Sequence, residues 1–401
     1  MDHTKALRIK PGLMALIAAF LAVWAVVALF PLFWIAVMSF KLPLDALSSS
    51  PLNVIFGPVT LADTGGLSLA SVMLALAMLA LLAILPGRVG KTFAARLAPP
   101  GWTGWLLAAL AYIALAAGLL LWLLPASAAL LNAALAPLPG VGILAKPVFG
   151  VTLEHYRAVW IEHGFYRNFL NSMIITFGVV VVSLTIGTLA GYALARAHSQ
   201  LAFWLLIISL IFRALPHSVL VTGYLPPFLR SREILAPLWD NAVTGWFFHL
   251  FAAVPPTLYG QPLAIIIVLV SINQPFTIWM MKAFFQNIPN ELDEAARVDG
   301  CTHFGAFVRV IMPVMWPGVI TTGLFSFLLA YNDYLVTALL LDAQSQTMVP
   351  AITQFLNRDT RATDQIEAIA AAVSIIAPLF LLVMVFQKQL VSGLTQGAVK
   401  G

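Results

Sequence analysis

Residues 288–300 read IPNELDEAARVDG and interrupt two long apolar stretches of the chain. Asn290 is a residue type that caps helix N-termini, and Asp293 stands where a capping-box acid would lie. The acids at the start suit the positive end of a helix dipole. Gly300 fits the left-handed residue that commonly follows a helix. The stretch therefore predicts a short helix with a defined start and stop.

One face of this predicted helix is suited to a close contact. Leu292, Ala295, Ala296 and Asp299 share that face through i+3 and i+4 spacing, and two alanines would let another backbone or a groove approach. Asp299 lies at the C-terminal end, where the dipole disfavours an acid, which indicates a partner beyond the helix. The alternative is an ordinary surface connector.

The composition around this stretch is that of a membrane protein. Only 9% of the 401 residues are charged, 61% are hydrophobic, and the mean hydropathy is +0.96. A water-soluble globule cannot cover that much apolar surface, because its own surface needs charge. The composition excludes a disordered chain, a disulfide-stabilised secreted fold and a nucleic-acid binder. The single cysteine, Cys301, excludes an intrachain disulfide.

Eight stretches are apolar and long enough to form helices of about 20 residues that cross a bilayer. They are Pro11–Phe40, Thr64–Gly87, Thr103–Leu124, Asn168–Ala195, Leu201–Tyr224, Leu263–Met281, Pro313–Tyr331 and Ala368–Gln387. The predicted fold class is an all-α polytopic membrane protein with about eight transmembrane helices.

The distribution of charge predicts the orientation of these spans. With the N-terminus inside, the inner segments hold 12 of the 21 Lys and Arg residues but only 5 of the 16 acidic residues. Because basic residues collect in cytoplasmic loops, both termini are predicted to be cytoplasmic. Cys301 then lies on the reducing side of the membrane.

Several motifs together resemble one protein family. Glu294-Ala295-Ala296, Gly300, Val310 and Met312-Pro313 are similar to the EAA motif of ABC importer permeases, with Val310 in place of isoleucine and Met312 in place of leucine. Further motifs resemble carbohydrate permeases of the maltose-permease second-subunit type. These are Phe30-Pro31, Trp34, Ser39-Phe40-Lys41, Asn171-Ser172, the segment from Gly191 to Arg196, Tyr331-Asn332-Asp333 and the tail from Gly393 to Gly401.

This resemblance implies the type I ABC importer permease fold. It also implies a transmembrane subunit of a binding-protein-dependent importer for a sugar, sugar derivative or polyol, which forms half of the translocation pathway in the bacterial inner membrane. In this family the short helix docks into a groove on a cytoplasmic ATPase subunit. The residues to which the resemblance assigns ATPase coupling are Glu294, Ala295, Ala296, Asp299, Gly300 and Pro313.

The resemblance also implies the partners. They are two ATP-binding subunits, a second homologous permease subunit, a periplasmic solute-binding protein and the lipid bilayer, with no nucleic acid. ATP and Mg would bind to the ATPase partners, so the chain is predicted to carry no cofactor and not to be an enzyme. An ion-coupled secondary transporter is the first alternative, but it would need acidic residues in mid-span, and none is found. A membrane enzyme would need a catalytic cluster near one interface, and none stands out.

About 100 residues have no counterpart in typical six-span members of that family. The domains predicted are an N-terminal segment with the first span (1–45), an inserted two-span hairpin (46–147) and a permease core (148–401) with its coupling loop at about 284–312. A hairpin that enters and leaves on the outer side keeps every later span in its direction. It is predicted to pack peripherally or to contact a partner rather than to line a pore.

Polar residues inside the predicted spans are candidates for the translocation pathway. Arg213 is the first, because a charge within a span is costly and usually faces a partner or a water-filled cavity. The alternatives are a structural ion pair, with Asp333 as a possible partner, or a side chain that snorkels to the surface. The other candidates are Asn273, Gln274, Ser326, Asn332 and Asp333. Such groups more often bridge helices.

The remaining signals are weaker. The seven histidines show no metal-ligand spacing, so no metal site is predicted. The polar loop 340–367 is predicted either to meet a substrate-loaded binding protein or to be a solvated connector.

Overall fold

The structure is a computed structural model that describes residues 11–97, 111–112, 114–196, 200–213, 217–241, 243–250, 252–356 and 361–398. Helices dominate these residues, as predicted for a polytopic membrane protein. The chain divides into two compact units. One contains Met1–Glu162 with Phe355–Ala377, and the other contains His163–Gln354 with Pro378–Gly401.

The first unit combines long helices with short elements. In chain order these are α1 Pro11–Met38, α2 Pro43–Ala46, α3 Pro51–Phe56, α4 Pro58–Thr64, β1 Gly66–Ser68, α5 Leu69–Leu97, a π-helical turn Leu119–Leu123, α6 Leu124–Leu135, a 3-10 turn Gly142–Ala145, β2 Pro147–Gly150, α7 Glu154–Arg157 and a second π-helical turn Ala158–Glu162.

The second unit is almost entirely helical. It contains α8 Phe165–Arg196, α9 Gln200–Arg213, α10 His217–Leu229, α11 Ser231–Asp240, α12 Gly245–His249, α13 Pro262–Phe285, α14 Glu291–Val298, α15 His303–Ala306, a π-helical turn Phe307–Ile311, α16 Met312–Tyr331, α17 Leu335–Leu340 and α18 Met348–Leu356. The final helix, α19, covers Ala362–Ala398. Its residues as far as Ala377, and the last two residues of α18, belong to the first unit. The core of this unit lies along α8, α13 and α16, where buried Ile175, Val179, Ile265 and Leu269 pack together.

Five helices in the described residues are long and apolar enough to cross a membrane. They are Gly12–Met38, Phe165–Arg196, Pro262–Phe285, His303–Tyr331 and Ala362–Gln387. They confirm the first, fourth, sixth, seventh and eighth predicted spans. The seventh begins earlier than predicted, because the helix runs back from Pro313 through a π-helical turn to His303.

The other three predicted spans need correction. Helix α5 begins at Leu69 rather than Thr64, because Gly66–Ser68 form a strand. Residues 103–110 and 113 of the third span lie outside the described residues, and its described end does not stop at Pro125 but continues to Leu135 after a π-helical turn. The fifth span corresponds to α9 and α10, each shorter than a bilayer requires, with residues 214–216 outside the described part.

A small sheet in the described part of the chain departs from the predicted all-α class. Strands β1 and β2 pair antiparallel, with Gly66 opposite Gly150 and Leu67 opposite Phe149. The two strands have three and four residues, too few for an alternating pattern that would predict them. The pairing joins residues near the start and the end of the segment 46–147.

A buried polar cluster lies beside this sheet. The Lys41 ammonium donates to the Gly150 carbonyl, and the Asp45 carboxylate accepts from the backbone N–H and the hydroxyl of Thr60, both at 2.7 Å. The Nε2 atom of His155 lies 3.1 Å from the Lys41 carbonyl. Lys41, Asp45, Thr60 and His155 are all at most 2% exposed. The cluster therefore fixes the chain on both sides of the predicted insertion.

The burial of His155 makes the first unit sensitive to acid. Burial lowers the pKa of His155 below its ordinary value, although the Lys41 carbonyl, Glu154 and Glu367 act in the opposite direction. The unfolded chain then binds a proton more tightly than the folded chain, so stability is complete above the ordinary pKa and falls as the pH drops towards the folded value.

We expect the wild-type protein to lose thermal stability between about pH 7 and pH 5, by at most about 1.4 kcal/mol per pH unit for this single proton. His155→Gln keeps an N–H that can reach the Lys41 carbonyl but does not titrate. Thermal unfolding in detergent should therefore show a weaker pH dependence for this variant. An equal pH dependence in both proteins would contradict the prediction.

Candidate functional site: the loop helix Glu291–Val298

The start of α14 differs from its prediction. Asn290 has helical backbone angles (φ −67°, ψ −24°) and its side chain makes no capping hydrogen bond. Its carbonyl instead accepts from the N–H groups of Asp293 and Glu294, at 3.0 and 3.2 Å. The capping roles predicted for Asn290 and Asp293 are therefore wrong, because the Asp293 side chain is committed elsewhere.

Asp293 is held by the end of α8. Its Oδ2 atom lies 2.7 Å from Nη2 and 2.9 Å from Nε of Arg196, and its Oδ1 atom accepts a hydrogen bond from the Tyr192 hydroxyl. Both carboxylate oxygens are thus used. The Arg196 and Asp293 side chains are 19% and 13% exposed, so solvent screens this ion pair less than a surface pair.

Arg196 and Tyr192 also hold the end of α13. Another guanidinium nitrogen of Arg196 donates to the Ile288 carbonyl at 3.2 Å. The Tyr192 ring packs against the rings of Phe285 and Phe307, with centroid separations of 5.4 and 4.8 Å. The buried face of α14 therefore rests on a site assembled from the ends of α8 and α13 and from the segment after α15.

The exposed face of α14 includes Leu292, Ala295 and Asp299, as predicted, but not Ala296. Ala296 is buried, at 4% exposure, and lies with Asp293 on the inner face, because residues three apart share one side of a helix. Ala295 and Asp299 are exposed. Only one of the two alanines is therefore available to a partner. Val298 is 87% exposed, which is unusual for a branched apolar side chain close to a charged loop.

The end of α14 agrees with its prediction. Gly300 has φ +88°, its N–H donates to the Arg297 carbonyl, and the Cys301 N–H donates to the Ala296 carbonyl, each at 3.0 Å. This pair of bonds is the Schellman arrangement that closes a helix. A Cβ atom at Gly300 would meet no atom within 4 Å, so the backbone conformation alone requires glycine here.

Pro313 lies in the first turn of α16, where a missing N–H costs little. It follows the π-helical turn Phe307–Ile311, which joins the loop to this span. Glu294 is exposed in the first turn of α14. The structure thus places the predicted coupling residues on one loop, with Ala296 on the inner face of α14 and Pro313 in the first turn of α16.

The polar residues predicted for the pathway fall into separate places. Asn273 donates to the Ser326 hydroxyl at 2.7 Å, and both side chains are fully buried between α13 and α16. Gln274 reaches the Ser183 carbonyl on α8 at 3.4 Å. These contacts match the helix-bridging alternative, yet the carbonyl oxygens of both amide side chains are buried without a partner in the structure.

The remaining pathway candidates lie at helix ends. Asn332 is exposed and donates to the Leu328 carbonyl. Asp333 accepts from the Thr337 N–H at 3.1 Å and so helps to start α17. Arg213 is the last residue of α9, beside residues outside the described part. The pairing of Asp333 with Arg213 stays a prediction.

The sequence analysis does not identify Tyr192 and Arg196 as parts of this site. Both belong to the segment from Gly191 to Arg196, which serves there only as one of the motifs that resemble carbohydrate permeases. Their i, i+4 spacing places them on one helix face, and Arg196 is the first charge after a long apolar run. Those two features were the available signal, but the distant partner Asp293 could be found only from the fold.

A polar cleft of about 280 Å³ opens beside the anchored helix. It is lined by Tyr192, Arg196, Asn290, Asp293, Glu294, Arg297, His303 and Ala306. Within the described part of the chain, no group of three or more His, Cys, Asp or Glu residues is placed to hold a metal ion.

The described residues thus combine helices of membrane-spanning length with an anchored, partly exposed loop helix, the arrangement of a polytopic membrane protein. Residues 183–396 match the family described as binding-protein-dependent transport system inner membrane component. The chain belongs to this family. It is accordingly a multi-pass inner membrane permease of an ABC transport system and not an enzyme, since ATP hydrolysis belongs to separate subunits.

Similar proteins include permeases with named transport systems. The chain is 33% identical to the diacetylchitobiose uptake system permease protein DasC of Streptomyces coelicolor, over 63% of this chain and 82% of that protein. It is 29% identical to the maltodextrin transport system permease protein MdxG of Bacillus subtilis, over 62% and 81%. It is 30% identical to the trehalose transport system permease protein SugB of Mycobacterium tuberculosis, over 63% and 83%.

Among solved structures, the chain resembles a bacterial ABC transporter involved in the import of the acidic polysaccharide alginate. The TM-score is 0.44 at 20% identity, and the match covers 64% of this chain and 84% of that one.

Proposed function

We propose that this chain is one of two different permease subunits of an ATP-driven importer for a sugar, oligosaccharide or polyol. Its partners are a homologous second permease, two ATP-binding subunits that hold ATP and Mg, and a periplasmic solute-binding protein. The observation that carries the proposal is α14, which is anchored on its inner face and exposed on its outer face.

The outer face of α14 suits a protein partner. Glu291 and Glu294 are exposed near its N-terminus, and Val298 and the neighbouring Phe304 are 87% and 68% exposed. Apolar side chains exposed to this degree beside charges are typical of a contact surface. We assign the contact with the ATPase to Glu294, Ala295, Asp299 and Gly300, while Ala296 and Pro313 support the loop from within.

The transport direction and the substrate class have separate support. Binding-protein dependence is a property of the family, and the similar proteins are named for diacetylchitobiose, maltodextrin and trehalose. The charge distribution supports cytoplasmic N- and C-termini. That orientation places α14 on the side of the membrane where ATP is available.

The translocation pathway is proposed to run beside the buried amides. Asn273 and Gln274 each keep an unpartnered oxygen atom between α8, α13 and α16, and sugar hydroxyls or water can donate to such atoms. Arg213, Ser326, Asn332 and Asp333 remain candidates for the same pathway. The segment 46–147 is proposed as an additional hairpin outside it.

The test is to tag the chain, purify it in mild detergent and identify the proteins that accompany it. An ATPase and a second permease in the complex, with ATP-dependent uptake of labelled diacetylchitobiose, maltodextrin or trehalose in proteoliposomes, are the expected results. Recovery of the chain alone, with uptake driven by an ion gradient, would replace the proposal with a secondary transporter.

A single charge tests the coupling surface within that complex. Glu294→Gln removes an exposed charge without a partner in the fold of α14 itself. We expect ATP hydrolysis to continue while uptake per ATP hydrolysed falls roughly tenfold, the loss that corresponds to one charged contact of about 1.4 kcal/mol. If this variant keeps the wild-type uptake per ATP hydrolysed, Glu294 does not belong to the contact with the ATPase.

A further inference from the structure

We propose that Asp293, Arg196 and Tyr192 form a rigid joint that transmits the movement of α14 directly to α8. This inference rests on the proposed coupling function and adds to it the route by which the movement reaches a membrane span. The three residues are positioning residues, since they face the inside of the protein and not the ATPase surface.

The first observation is that one guanidinium connects three elements. Arg196 ends α8, forms the ion pair with Asp293 of α14 and donates to the Ile288 carbonyl just after α13. The Tyr192 hydroxyl binds the second oxygen of Asp293, one helical turn before Arg196. A carboxylate held through both oxygens by two residues of one helix has little freedom to rotate or slide.

The second observation is that α8 and α13 are packed closely at this joint. A Cβ atom at Gly191 would lie 2.7 Å from the Cβ atom of Met281. The two helices therefore approach at a distance that only glycine permits, next to Tyr192 and Arg196. A force applied at Asp293 acts on two spans that move together.

The covalent route from α14 to a span is less direct. The chain turns at Gly300, forms the short helix α15 and continues through the π-helical turn Phe307–Ile311 before Pro313. A π turn and a proline both disturb the regular hydrogen bonds that make a helix stiff. The ion pair therefore bypasses a segment that can bend.

The chain provides a direct test, because Cys301 is its only cysteine and follows the end of α14. Thr185 is an exposed residue of α8. Thr185→Cys allows spin labels at positions 185 and 301 in the assembled complex, and pulsed electron resonance measures the distance between them without ligand and with ATP and Mg. A rigid joint keeps this distance within about 2 Å in the two states.

The variants Asp293→Asn and Arg196→Lys weaken the joint while keeping similar side-chain size. We expect the 185–301 distance distribution to broaden in both and to shift when ATP binds. Asp63→Asn is the control, since it removes an exposed acid that lies outside the coupling loop, and its distribution should remain that of the wild type.

The outcomes are distinct. A shift of the 185–301 distance with ATP in the wild type would contradict the proposed joint. A wild-type distance distribution in both variants would contradict it as well. If a variant does not assemble, the wild-type distances in the two states decide the question alone. An ATPase that does not co-purify even with the wild type would mean that the proposed coupling function itself has failed.

Discussion

Replacing Asp45 with alanine should destabilise the first unit more than any other single change considered for this chain. The carboxylate is 1% exposed and accepts hydrogen bonds from the N–H groups of Val59 and Thr60 and from the Thr60 hydroxyl. Without it, a fully buried Thr60 loses its acceptor. We expect a loss of about 3 kcal/mol, from unsatisfied donors and an uncompensated neighbouring charge.

The neighbouring charge is the Lys41 ammonium. Burial lowers the pKa of Lys41 below its ordinary value, and the negative charge of Asp45 opposes this effect. The Asp45→Ala variant removes the opposing charge, so it should lower the pKa of Lys41 further. Asp45→Asn keeps one acceptor oxygen and should lose less stability than the alanine variant.

Asp63→Ala is the matched control, because Asp63 lies on α4, the short helix that carries Thr60, but is exposed. Thermal unfolding in detergent should show a midpoint about 5–10 °C lower for Asp45→Ala and almost no change for Asp63→Ala. Equal losses in both variants would show that the cluster around Asp45 contributes nothing particular to the fold.

The long apolar helices were predictable, whereas the elements between them were not. A span is determined by its own residues, because about 20 apolar residues in lipid have helix as their stable form. The strands β1 and β2 depend on each other across 78 intervening residues, from Ser68 to Pro147. Neither has a local pattern of its own, so no reading of either segment could predict the pair.

In the loop helix α14, one end could be predicted from the local sequence and the other end could not. Its end at Gly300 follows from local backbone preference, and that prediction is confirmed. The start of the helix does not follow from local preference. Asp293 binds Arg196, 97 residues earlier in the chain, instead of the N-terminus of its own helix. A charge-assisted contact with a distant residue is stronger than a local cap. The prediction that Ala295 and Ala296 are both available to a partner was wrong for the same reason, because the position of Asp293 determines which side of the helix is buried.

Substitutions at Gly300 should have the largest effect on transport. The order of their effects on uptake distinguishes strain of the backbone from the size of the new side chain. At φ +88° an alanine costs about 1 kcal/mol and a β-branched valine about 2 kcal/mol, whereas asparagine tolerates the left-handed region better. Apart from the two neighbours of Gly300 in the chain, no atom of the described residues lies within 4 Å of the new Cβ. If the backbone conformation at residue 300 determines the effect, the loss of uptake should be smallest for Gly300→Asn, larger for Gly300→Ala and largest for Gly300→Val. For valine we expect a loss of roughly tenfold or more.

A second glycine separates this effect from general instability. Gly164 also has a left-handed backbone, with φ +68° and no atom within 4 Å of an added Cβ, but it precedes α8. Gly164→Val therefore carries a similar backbone strain away from the coupling loop. Uptake per ATP hydrolysed, measured in proteoliposomes, should fall for Gly300→Val and stay close to wild type for Gly164→Val. If Gly300→Asn instead transports less than Gly300→Ala, then side-chain size decides, and a partner must pack directly against Gly300 at the end of the helix.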